Sequence, residues 1–222
     1  MTTRNIELMA TEVAQHIAAD AVIQGIYWNH AEQKGCFIGC LGHSDDPGVA
    51  VERFGLTEPL LRIAESIFEA LPAAEARDFF AAFPKAIGCD GRDLSLVHWQ
   101  FLATELRALP SVPDDVQAVI DPVIVGMDLL VSGQEWPEAA KAAEAAADVA
   151  RTAAGATESV LAAVDAAWAA AETAARAATK AAAWAVARAA RAAWAAQLDV
   201  QRRQRDLLLD LIRQAPVVEV QS

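Results

Sequence analysis

The chain has 222 residues, 30 of them acidic and 18 basic, so a formal charge of −12 makes its field repel nucleic-acid phosphate and anionic membrane surfaces. The length suffices to bury a core without disulfide or metal staples, and no apolar run reaches the ~18 residues needed to span a bilayer. Three cysteines and an amino terminus unlike a signal sequence fit a reducing cytoplasm with free thiols.

The first helix is expected from about Asn5 to Ile23, with Ile6, Met9, Val13, Ile17 and Ala21 three and four apart on one face. Gly25 ends it, and Tyr27-Trp28-Asn29-His30 leads into Lys34-Gly35-Cys36-Phe37-Ile38-Gly39-Cys40-Leu41-Gly42-His43. This run gathers three glycines, two thiols and a histidine in ten positions, the mark of a tight turn or a close backbone approach. Cys36 to Leu41 is the only stretch resembling a strand, and its glycines argue against one. Ser44-Asp45-Asp46-Pro47-Gly48 closes the cluster as a loop.

Thr57-Glu58-Pro59 is a helix start, with Leu60, Leu61, Ile63, Ala64, Ile67, Phe68 and Leu71 as its buried face. A shorter helix follows Pro72, lined by Ala76, Phe79, Phe80 and Phe83, and Pro84 is expected to stop it. After a Gly88-Cys89-Asp90-Gly91 turn, Leu94, Val97, His98, Phe101, Leu102, Glu105 and Leu106 repeat at helical spacing up to Pro110. Pro113-Asp114-Asp115 opens a last body helix, which Pro122 is expected to kink.

From Trp136 to about Gln214 alanine dominates. No glycine or proline occurs between Ala156 and Pro216, which allows one helix of nearly 60 residues, roughly 85 to 90 Å. Glu144, Arg151, Glu158, Asp165 and Glu172 recur every seventh residue. Leu161, Val164, Trp168, Ala171, Ala175 and the alanines that continue their spacing form a seam free of charge. Such a seam wants a partner helix, either a second copy of this one or the helix around residues 137 to 153, and the segment, a long helix or a helical hairpin, is expected to mediate self-association. The closing Arg202, Arg203 and Arg205 suit the negative end of a helix, and the chain is expected to fray from Pro216.

Cys36, Cys40 and His43 share a helical face and are candidate metal ligands, with a fourth to come from His30, Cys89 or His98. Their spacing is not that of a zinc knuckle, and the plainer reading is buried thiols beside a surface histidine. A cysteine nucleophile would need a histidine base that the spacing does not select, and Asp45 and Asp46 more often cap a helix than do acid-base work. A further reading makes Lys34, Gly35, Cys36, Gly39, Cys40 and His43 a ligand-binding turn, in which backbone N–H groups and one cation cradle an anion.

Lys34-Gly35-Cys36 to Gly39-Cys40, with His43-Ser44, Phe54-Gly55 and Ile67-Phe68-Glu69-Ala70-Leu71-Pro72, resembles an uncharacterised family of small bacteriophage and bacterial proteins that also end in a long alanine-rich helix. The chain departs from that pattern around Cys89 and His98. The resemblance implies no assigned activity. Its phage setting implies a binding role, the sequestering of a nucleotide signal of host defence.

The sequence thus predicts an all-α protein with a globular helical domain over 1–132, an alanine-rich oligomerisation segment over 133–215 and a disordered tail over 216–222. The function expected is non-enzymatic binding of a small phosphorylated molecule, without cofactor, nucleic acid or membrane. The alternatives are a scaffold acting through the alanine-rich helix and, third, a metal-dependent hydrolase.

Overall fold

The computed structural model of the chain describes residues 2–109, 114–135 and 197–218. Among these are eight helices and a single two-stranded ribbon, so the chain is mostly helical as expected. The elements are α1 (Ile6–Ala18), β1 (Trp28–Asn29), β2 (Lys34–Gly35), α2 (Phe37–Gly42), α3 (Pro47–Phe54), α4 (Glu58–Ala70), α5 (Ala73–Ile87), α6 (Val97–Arg107), α7 (Asp114–Val131) and α8 (Gln197–Gln214). No helix among the described residues is long and apolar enough to cross a membrane. The charge-free seam and most of the long helix or helical hairpin expected there lie at 136–196, outside the described residues.

The chain divides into two units, one of Met1–Val97 with Leu198–Ser222 and one of His98–Gln197. Residues of α8 from Leu198 onward belong to the first unit. Leu208, Leu209 and Ile212 are buried, and Arg202 reaches Glu75 of α5 with both carboxylate oxygens engaged, at 2.6 and 2.9 Å. Arg92 donates to the carbonyls of Arg213 and Ala215, at 2.8 and 2.6 Å. Pro216–Val218 runs beside the turn after α5: Asp93 N donates to Pro216 O, and Val218 N to Gly91 O. The terminal arginines therefore hold α8 to the body.

Phe37, the second residue of the thiol run's centre, is the hub of the first unit. It is fully buried and meets Phe68, Phe79, Phe80 and Phe83 with ring centroids 6.0, 5.5, 5.3 and 5.0 Å away. Each such ring contributes about 1.5 to 3 kcal/mol by burial and somewhat more by edge-to-face contact. That cluster explains why Pro84 does not stop α5, which runs on to Ile87 and ends at Gly88. The cost of an interior proline, ~3 kcal/mol, is smaller than what the Phe79, Phe80, Phe83 and Ile87 face gains by staying helical.

Three other expectations are corrected. Helix α1 ends at Ala18, since Ala21 and Val22 instead run extended to back the ribbon: Gly35 N donates to Ala21 O and Ile23 N to Gly35 O. The loop expected at 44–48 contains a helix start, with the Asp46 carboxylate accepting from Gly48 N at 2.8 Å and Pro47 in the first turn. Helix α6 begins at Val97 because Ser95 N donates to Asp93 Oδ1, closing an Asx turn over Leu94. Pro122 lies within α7.

In the second unit, described over α6, α7 and the turn that follows, Arg107 pairs with Asp128. His98 is buried against Trp99, ring centroids 4.6 Å apart.

Candidate functional site

The ribbon forms because Asn29 Oδ1 accepts the N–H groups of Ala31 and Glu32, at 3.0 and 3.2 Å, folding the chain back so that Trp28 faces Gly35 and Asn29 faces Lys34. The thiol run then enters α2 directly. Both glycines of its first half are there for close approach: a Cβ on Gly35 or Gly39 would sit inside van der Waals contact with the Tyr27 carbonyl oxygen. The glycines seat α2 against the ribbon.

Two of its backbone donors are consumed internally. Cys36 N donates to Ile26 O and Tyr27 O, and Ile38 N donates to Glu65 Oε2 at 2.8 Å. A carboxylate of the protein's own thus occupies the place where an anion cradle was expected. Lys34 does not join it, since strand alternation sends its side chain from the ribbon face opposite Trp28.

The three candidate metal ligands of the sequence go to three different neighbourhoods. Cys40 Sγ donates to Gly35 O at 3.2 Å, Cys36 lies with Glu65 and Glu69, all three ligand atoms within 4.8 Å of one another, and His43 turns to His16. Of the proposed fourth ligands, Cys89 is exposed at its turn and His98 is buried in α6. Burial pushes the Cys36 thiol far up and the Cys40 thiol up to about 12, so neither is a nucleophile at neutral pH. Burial also raises the Glu65 carboxyl to about 7, opposed by hydrogen bonds from Cys36 and Ile38.

What remains at the surface is imidazole. Of the four histidines in the chain, three surround Trp28. His43 stacks on its ring at 5.1 Å and 27°, while His16 and His30 meet it edge-on at 5.8 and 6.3 Å. His16, in the last turn of α1, and His43, the αL residue closing α2 at φ 53°, bring their Nε2 atoms to 2.9 Å. His43 is exposed and His16 half-buried.

Beside the pair, Arg53 grips both Glu12 oxygens at 2.6 and 2.8 Å and donates to Leu41 O at 2.6 Å, tying α1, α2 and α3 together. Desolvation holds both imidazoles below the usual histidine range, aided for His16 by the His43 charge and opposed for both by Glu12. Both shifts favour the uncharged ring.

Of these residues the sequence marked His43 and His30. His16, Trp28, Arg53, Glu65 and Glu69 were not singled out as site residues, because nothing in linear spacing brings α1 or α4 to the bend. No protein-family model matches the chain, and no curated protein or solved structure matches it either.

Proposed function

We propose that the protein is a non-enzymatic binding protein whose ligand surface is the histidine rim of the thiol bend, and that its ligand is a small phosphorylated molecule of nucleotide type, held without turnover. The observation that carries this reading is the His16–His43 contact at 2.9 Å on the Trp28 ring. The thiols beneath are buried and protonated, so the groups that meet a solute are imidazoles. A phosphate placed against them would favour their charged form and draw a proton onto the pair. The phage-type resemblance of the Lys34–Cys40 run lends the sequestering role its context, and self-association through the alanine-rich segment belongs to the same proposal.

Isothermal titration of the full chain against cyclic and ADP-ribose-type nucleotides tests it, with His43→Asn as the control, since asparagine also accepts the αL cap. Binding is expected to be tighter at pH 6 than at pH 8, absent in the variant, and to return the ligand unaltered. Absence of heat from every nucleotide at both pH values sinks the ligand assignment, and a native mass spectrum showing only single subunits sinks the self-association.

A further inference from the structure

We infer that His16 and His43 form a binding site for a divalent transition-metal cation, ligated through the Nε2 atom of each ring and completed by solvent. The site stands independently of the phosphorylated ligand and needs no nucleotide to form.

The Nε2 atoms of the two rings meet at 2.9 Å, so one ring carries its proton there and the other presents a lone pair to it. A cation that takes the lone pairs of both Nε2 atoms moves that one proton to Nδ1 of the ring that held it.

Once each ring has turned its lone pair off the N···N line of the hydrogen bond, an ion can sit beside that line. Nitrogens about 2.0 to 2.1 Å from one ion and at right angles around it lie roughly 2.9 Å apart, so the two Nε2 atoms, 2.9 Å apart, need not separate to hold it. Right-angle ligation belongs to nickel(II) and copper(II), whereas tetrahedral zinc would hold the nitrogens farther apart. A ligating imidazole must be unprotonated, so loading strengthens as pH rises. Exposure of His43 leaves an entry path, and the Arg53–Leu41 and Arg53–Glu12 bonds hold the two helix ends in place. Keeping histidine in the αL cap of α2, where glycine or asparagine is more usual, fits a demand on its side chain.

Titration of the full chain with nickel(II) alone, followed by calorimetry, tests the site. One equivalent is expected to bind saturably, more tightly as pH rises from 5 to 7.5, which is the opposite trend to that of a phosphate on the same rim. His16→Gln and His43→Asn should each weaken binding by at least about tenfold, with helical circular dichroism unchanged, while Cys36→Ser should bind as the parent does. Cobalt(II) should give a spectrum without thiolate charge transfer. Absence of saturable binding, equal binding in the two histidine variants, or loss on Cys36→Ser would each overturn the assignment; the last would move the metal to Cys36, Glu65 and Glu69.

Discussion

The Glu65 carboxylate accepts the backbone N–H of Ile38 at 2.8 Å, so a side chain of α4 closes the first turn of α2 from 27 residues away. The same carboxyl accepts a hydrogen bond from the Cys36 thiol and lies beside Glu69, one helical turn on. Desolvation, the largest influence, raises Glu65 to about 7 from the ordinary 4.5. The folded protein therefore holds a proton that the unfolded chain releases, and stability falls as pH rises from about 4.5 to about 7, by something on the order of 3 kcal/mol. Glu65→Gln should remove that fall, so the difference in Tm between variant and parent should grow in the variant's favour between pH 5 and 8. A difference that stays constant with pH would contradict it.

His98 has the opposite dependence. It is buried, its Nδ1 finds no hydrogen-bond partner, and desolvation lowers it to about 4 from 6.5. The unfolded chain takes up its proton first, so stability is lost as pH falls from about 6.5 to about 4, again on the order of 3 kcal/mol. His98→Phe should abolish that loss and, by removing an unsatisfied buried nitrogen, should not destabilise the protein at pH 7.5. The windows of Glu65 and His98 overlap with opposite sign, so urea titrations of both variants from pH 4 to 8 are needed to separate them.

Gly39 tests close approach. Gly39→Ala would drive a methyl into the Tyr27 carbonyl, where backbone on both sides resists movement. The expected cost is above about 3 kcal/mol, read as a lowered urea midpoint. A variant within 1 kcal/mol of the parent, by the scatter allowed for surface changes of roughly ±0.5 kcal/mol, would show that α2 can lift from the ribbon.

The thiols should divide by burial. Cys89 is exposed, whereas Cys36 and Cys40 are buried and their thiols raised by desolvation. A chromogenic disulfide reagent should titrate one thiol quickly in the native protein and all three after denaturation. Rapid reaction of Cys36 or Cys40 at pH 7.5 would show the bend opening to solvent.

Removal of residues 198–222 should expose the apolar surface that Leu208, Leu209 and Ile212 cover and release the bonds that Arg92 makes to the last turn of α8. The expected result is a lowered Tm with increased binding of a hydrophobic dye. An unchanged Tm would mean that Met1–Val97 needs no help from α8.

Residue order alone determined the helical class, the faces of α4 and α5 and the concentration of special residues between Lys34 and His43. Those readings rest on periodicity, capping and glycine chemistry, which act over a few neighbouring residues and are written locally. The thiol bend's role was decided only in three dimensions. Whether its N–H groups faced solvent or Glu65, whether His43 met a thiolate or His16, and whether α8 belonged to the tail or the body each depended on partners between 27 and 127 residues away. Desolvation works the same way: it is a property of what packs around a group, so the displaced protonation of Glu65, His16 and His98 exists only after the chain has folded around them.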